Sequence, residues 1–120
     1  MHAYSFEKLD VWKEAIKLSV DIYKITQTFP DNEKFGLISQ MRRCSVSISS
    51  NVAEGTARLT NKDKAHFMTL SYSSALEHLN QAIIAKELEF ISEENYKIIR
   101  FDIESISNKI NALRNHFLKS

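Results

Sequence analysis

The chain has 120 residues, with sixteen basic and fifteen acidic side chains and a formal net charge of +1. This length predicts one domain over residues 1–120, and the balanced charge excludes a global field that would attract nucleic acid or an anionic membrane. The single cysteine, Cys44, has no partner for an intramolecular disulfide, and no apolar run approaches the ~18 residues of a membrane span. We therefore expect a cytoplasmic protein with no membrane association.

The first predicted element is an amphipathic helix over about residues 6–28, with Ser5 as its N-cap and Pro30 beyond its end. Its apolar residues recur at spacings of three and four, and a second apolar series lies beside the first. The two series are Leu9, Trp12, Ile16, Ser19, Tyr23 and Thr26, and then Val11, Ala15, Leu18, Ile22 and Ile25. This arc is broader than a four-helix core needs from one helix, which predicts a second buried contact.

The second predicted element is a helix over about residues 33–57, capped by Asp31 or Asn32. Alternation over residues 45–49 is typical of a strand, but it covers only five residues. A heptad-like seam is much longer and contains Leu37, Met41, Cys44, Ile48, Asn51 and Gly55. The helix is therefore favoured. Its small residues, which predict a close approach of neighbouring helices, are Ser45, Ser47, Ser49 and Ser50.

Two further helices are predicted over about residues 61–89 and 93–118. Thr60 with Asp63 is typical of a capping box, and Ser92 is the predicted cap of the last helix. Their seams contain Ala65, Met68, Tyr72, Ala75, Leu79 and Ala82, and then Ile99, Ile103, Ile106, Ile110, Leu113 and Phe117. Four long helices with short connections predict an all-α fold, an antiparallel up-down-up-down four-helix bundle.

Motifs of catalysis are missing from the sequence. A di-iron bundle needs a Glu-x-x-His pair on each of two helices, and only Asp63 with His66 resembles one. His78 follows Glu77, but no second histidine completes a zinc-protease pattern. The sequence also contains no nucleophile elbow and no glycine-rich phosphate loop. We therefore expect no enzymatic activity, no metal and no cofactor.

The remaining indication of a function is a set of basic residues, and two interpretations of them stay open. The candidate contacts are Arg42, Arg43, Arg58, Lys62 and Lys64. They could form ion pairs within or between subunits, for instance Arg58 with Glu54 at i, i+4, or they could contact nucleic acid or an acidic protein.

Asn51 falls on the apolar seam, where a polar side chain restricts how helices pair. We expect it to be an internally satisfied amide near Gly55, and we place Asn51 and Glu54 in a candidate structural polar network.

The segment QMRRCSVSISSNVAEGTAR, with LDVWKEAIKLSVDIYKIT, EKFGL and SYSSALEHLNQAIIAKEL, resembles the 23S rRNA-intervening sequence protein family of small four-helix bundles. The resemblance extends over about residues 6–118, with Ser49 where proline is common and Ser73 where glycine is usual. It implies a ring-like homo-oligomer, in particular a pentamer, without enzymatic activity. Relatives include accessory proteins of diversity-generating retroelements, which are more basic bundles that associate with a reverse transcriptase and bind nucleic acid.

These observations predict a non-enzymatic bundle that self-associates and acts as an interaction or scaffold module. The alternative is a nucleic-acid-binding accessory protein, whose partner is nucleic acid or a nucleic-acid-processing protein and whose basic side chains contact phosphates.

Overall fold

The computed structural model describes residues 1–119 and contains four long helices. They are α1 (Asp10–Thr26), α2 (Leu37–Thr56), α3 (Asn61–Glu87) and α4 (Glu93–Lys119). Each helix packs against the next, and α1 also packs against α4. No strand occurs in the described residues. The all-α up-down-up-down bundle is therefore confirmed, and its 45 Å long dimension fits the roughly 40 Å length of a 27-residue helix.

α1 begins later than the sequence predicts. Ser5–Lys8 forms a 3-10 turn, and Leu9 then adopts an extended conformation with φ −80° and ψ 127°. This interruption separates Ser5 from the helix, so the prediction that Ser5 caps it is wrong. Leu9 is the residue that precedes α1, and no side chain caps this helix end.

The start of α2 is displaced in the same way. Asp31–Glu33 forms a second 3-10 turn, and α2 begins only at Leu37, after Gly36. The Leu37 N–H donates to Oε2 of Glu33 at 3.3 Å. A carboxylate of the preceding turn therefore satisfies a free N–H of the first helical turn, instead of the predicted caps Asp31 or Asn32.

The caps of α3 and α4 are confirmed. The Asp63 N–H donates to Oγ1 of Thr60 at 3.1 Å, and the Asn95 N–H donates to Oγ of Ser92 at 3.0 Å. In both cases the side-chain oxygen satisfies a backbone donor that has no partner within the helix.

The core uses the second apolar series of α1. Val11, Ala15, Leu18 and Ile22 are buried, together with Ser19 and Thr26 of the first series, whereas Ile16 and Tyr23 of that series are exposed. On α2 the buried seam likewise passes through Val52, while Asn51 is only half-buried. A straight helix repeats every 3.6 residues and drifts away from a strict heptad, which explains the move from Asn51 to Val52 on α2.

α2 and α3 approach each other closely, as the small residues of α2 predict. The Ser71 hydroxyl donates to the Ile48 carbonyl at 2.7 Å. A Cβ atom added to Gly55 would lie 2.5 Å from Cε of Met68 and 2.8 Å from Cβ of Phe67. The close approach of these helices at residue 55 therefore depends on the absence of a Cβ atom there.

Candidate functional site

An exposed apolar groove lies between α1 and α2 and encloses about 520 Å³. Its walls carry large apolar side chains that are between 37% and 47% exposed. These side chains are Ile16, Val20 and Tyr23 of α1 and Val46 of α2. The first three are spaced at i, i+4 and i+7, so they lie on one face of α1. This face is distinct from the core face and is exposed, so the second buried contact that the sequence predicts stays a prediction.

Small residues form the floor of this groove. Ser19 and Ser49 both line it and are almost fully buried. The Ser49 hydroxyl donates to the Val46 carbonyl at 3.1 Å, which satisfies it within its own helix. Short side chains below longer apolar walls leave space for an inserted side chain, as in the holes of a coiled coil.

Arg42 is bound within the fold. Its Nε donates to Oγ1 of Thr26 at 2.9 Å, and one NH2 group donates to the Tyr23 carbonyl at 3.2 Å. The guanidinium also lies 4.7 Å from the centre of the Tyr23 ring. A cation that donates to a carbonyl in the last turn of a helix stabilises that helix end. Arg42 therefore joins α2 to the end of α1.

Arg43, the neighbouring residue, faces solvent on another side of α2. It is exposed and has no ion-pair partner among residues 1–119. Two adjacent arginines thus have different surroundings, because successive helical residues point about 100° apart.

The other basic candidates surround the connection between α2 and α3. The guanidinium of Arg58 lies 5.0 Å from the centre of the Phe67 ring, and Nζ of Lys64 lies 5.6 Å from that of Phe117. Lys62 is exposed and has no ion-pair partner in the described part of the chain. The predicted ion pair between Arg58 and Glu54 does not form, because the guanidinium lies against the aromatic ring instead.

The basic candidates do not converge on a single patch. Arg43 and the end of α2 at Thr56 are thirteen residues apart on one helix, which is about 20 Å at 1.5 Å per residue. The cations therefore form two separate groups on one subunit.

Asn51 belongs to a polar network between α2 and α3. Its Nδ2 donates to the Ser47 carbonyl at 2.9 Å and approaches the Ser47 hydroxyl at 3.3 Å. The Ser47 hydroxyl in turn lies 2.6 Å from that of Ser74. The network therefore extends toward the start of α2, away from Gly55. Glu54 is exposed and takes no part in it.

The sequence interpretation missed a buried polar pair on α3. His78 is fully buried, and its Nδ1 lies 3.4 Å from Oε1 of Gln81. Burial lowers the pKa of His78 to about 4, although the hydrogen bond with Gln81 opposes this shift. The spacing could have indicated that His78 is buried, because His78 lies three residues after Ala75 and four before Ala82, on the core face of α3.

Cys44 of α2 is a buried thiol that contacts α3. Its Sγ donates to the Ser74 carbonyl at 3.1 Å and lies 3.6 Å from Oε2 of Glu77. Burial raises the pKa of Cys44 to about 12, and the Glu77 carboxylate adds to that shift. A thiol with so little thiolate is a poor nucleophile.

Within residues 1–119, no three histidine, cysteine, aspartate or glutamate side chains converge as a metal site. None of the helices in this described part has the length and apolar character needed to cross a bilayer.

The family model of the 23S rRNA-intervening sequence protein matches residues 7–112. The chain belongs to this family. The match includes all of α1, α2 and α3 and most of α4, so it covers nearly the whole bundle.

A solved structure shows the same fold. It is a protein of unknown function from the S23 ribosomal protein family of Bacteroides thetaiotaomicron VPI-5482, and it superposes with a TM-score of 0.81. The two chains are 20% identical over 88% of this chain and 95% of that one. No curated protein matches this member of the 23S rRNA-intervening sequence protein family.

Proposed function

We propose that this protein is a non-enzymatic, cytoplasmic interaction module that self-associates through the groove between α1 and α2. The observation that carries this proposal is the exposed apolar face of Ile16, Val20 and Tyr23, continued by Val46 on the neighbouring helix. A contiguous apolar groove on a charged bundle is typical of a protein interface. The occupant that we propose is a second copy of this chain.

Charge supports association between identical copies. With a formal net charge of +1, two chains repel each other little. The resemblance to the family further implies a closed ring, and we propose a pentamer as its size. In such a ring each subunit would present the groove to one neighbour and another surface to the next, since a heterologous contact closes when its rotation fits.

Sedimentation velocity of two matched variants tests this proposal. Val20→Glu places a charge in the groove, whereas Leu76→Glu places one at a residue of similar exposure on α3. Val20 is 47% exposed and Leu76 45%, so neither change disturbs the core. We expect Val20→Glu to sediment as a monomer and Leu76→Glu to sediment as the wild type does. Equal assembly of both variants would contradict the assignment of the groove.

The second candidate function is nucleic-acid binding, alone or beside a nucleic-acid-processing protein. Arg58, Lys62 and Lys64 all lie near one end of the bundle and form no ion pair in residues 1–119. Arg43 forms a separate group on α2, and a ring would repeat both groups around its axis. We base this proposal on these four cations, because the Nε and one NH2 group of Arg42 already bond within the subunit.

Titration of labelled RNA and DNA at low and high salt tests this second candidate. Affinity that depends on phosphate contacts must fall steeply with salt. The variant Arg58→Ala/Lys62→Ala/Lys64→Ala should lose binding, while the control Lys8→Ala/Lys13→Ala/Lys97→Ala removes the same charge elsewhere. No binding by the wild type at low salt, or equal losses in both variants, would contradict it.

A further inference from the structure

A second groove lies between α2 and α3, and it is polar. It encloses about 450 Å³ and is lined by charged and amide side chains, with Phe35 at its rim. This volume lies within the roughly 300–1,000 Å³ range of small-molecule sites. The groove uses a different face of α2 from the apolar one, so the two surfaces are independent.

Two oppositely charged side chains line this groove without forming an ion pair with each other. Arg43 on α2 and Glu77 on α3 are both exposed, and they form no ion pair. The only hydrogen-bonding contact of the Glu77 carboxylate among residues 1–119 is Sγ of Cys44 at 3.6 Å, and the one proton of that thiol is donated to the nearer Ser74 carbonyl at 3.1 Å. The guanidinium of Arg43 has no hydrogen-bond acceptor within residues 1–119. Each charge is therefore available to a ligand.

A buried amide completes the site. Gln81 lines the groove although it is only 5% exposed. Its Oε1 is engaged by Nδ1 of His78 at 3.4 Å, and its Nε2 has no partner among the described residues. Because Oε1 is engaged, Nε2 is the donor that Gln81 offers to the groove.

We propose that this groove binds a small zwitterion of the α-amino-acid class. The ligand carboxylate bonds to the guanidinium of Arg43 and to Nε2 of Gln81, and its ammonium group bonds to the carboxylate of Glu77. Guanidinium groups suit carboxylates geometrically, and hydrogen bonds between charged groups are among the stronger ones. The Phe35 ring, which is 90% exposed, offers an apolar contact to the side chain of the ligand. This site goes beyond the proposed self-association and does not depend on it.

Titration of the ¹⁵N-labelled full chain, followed by chemical-shift changes, tests the proposal. L-Phenylalanine is the zwitterionic probe, 3-phenylpropionate carries only the carboxylate and 2-phenylethylamine only the ammonium. We expect saturable shifts at residues of this groove with L-phenylalanine, and affinities for the two single-charge probes that are weaker by about tenfold or more, since one charged bond is worth about 1.5–3 kcal/mol.

Variants assign the two charges. Arg43→Gln should weaken binding of L-phenylalanine and of 3-phenylpropionate, and Glu77→Gln should weaken binding of L-phenylalanine and of 2-phenylethylamine. Arg58→Gln and Glu54→Gln are matched controls that should leave all three affinities unchanged. All four residues are exposed, so the variants should fold, which circular dichroism verifies. Absence of groove shifts at millimolar L-phenylalanine, equal affinity for the single-charge probes, or unchanged affinity in Arg43→Gln and Glu77→Gln would each overturn the proposal.

Discussion

Arg42 and Thr26 join the second helix to the end of the first. The Nε of Arg42 donates to Oγ1 of Thr26 at 2.9 Å, and that hydroxyl donates in turn to the Ile22 carbonyl at 2.6 Å. Thr26 is almost completely buried. A cation on α2 thus completes a hydrogen-bond chain that begins inside the last turn of α1, next to the apolar groove.

Loss of this chain should destabilise the fold. We expect Arg42→Ala to lower the free energy of unfolding by about 1–3 kcal/mol, because a charged hydrogen bond and the stacking on Tyr23 are both lost. Arg43→Ala is the matched control and should change it by no more than about 0.5 kcal/mol. Urea denaturation measures both. Equal effects of the two substitutions would show that the bond to Thr26 contributes nothing.

Glu89 occupies a backbone conformation that favours glycine. Its φ is 62°, and the N–H groups of Glu89 and Phe90 donate to the carbonyls of Lys86 and Ala85, both at 2.9 Å. These two bonds form a Schellman motif that ends α3. We expect Glu89→Gly to raise the free energy of unfolding by about 1 kcal/mol, because the left-handed conformation costs a residue with a Cβ about that much.

Thermal denaturation of Glu89→Gly measures this gain, with Glu89→Ala as the control. Alanine removes the same carboxylate but keeps the Cβ, so it should give no comparable stabilisation. A higher melting temperature for both variants would attribute the gain to the lost charge instead of the backbone.

His78 should make the fold sensitive to acid. Its pKa is about 4 in the fold and 6.5 in an unfolded chain, so the unfolded state binds more protons between these values. Stability is therefore fully present above pH 6.5 and falls as the pH decreases, by about 3 kcal/mol at pH 4.

Urea denaturation across this pH range tests the role of His78. His78→Gln should remove this part of the pH dependence, while the control His66→Gln replaces an exposed histidine of the same helix and should retain it. Identical pH profiles for His78→Gln and the wild type would contradict the assignment.

Gly55 permits the close approach of α2 and α3. In Gly55→Ala the new Cβ would lie 2.8 Å from Cβ of Phe67, which cannot rotate away. We expect a net loss of roughly 1–2 kcal/mol, since overpacking costs about 1–3 kcal/mol and alanine recovers up to about 1 kcal/mol of helix propensity. Ser50→Ala, at an exposed position of the same helix, should be near neutral. A more stable Gly55→Ala would show that the helices can separate without cost.

The number, order and approximate extent of the helices could be predicted from the sequence. Apolar periodicity identifies the four segments, and Thr60 and Ser92 mark two starts by a local rule that the structure confirms. The starts of α1 and α2 could not be predicted, because short 3-10 turns before each helix contain the same residue types as a helical first turn.

The surroundings of individual side chains were less predictable. Sequence spacing places Arg42 and Arg43 on one helix, but only the packing of α1 shows that Arg42 bonds to Thr26. No glycine marks the end of α3 in the sequence, because Glu89 occupies the left-handed position where glycine is usual. The groove that joins Val46 to the face of Val20 depends on the angle between two helices, and a linear pattern does not encode that angle.

The molar mass of the wild-type chain in solution shows whether the protein self-associates. Light scattering after gel filtration at micromolar concentration should give a multiple of the 13.9 kDa chain mass, and five times that mass for the pentamer. A single species of 13.9 kDa would contradict the account.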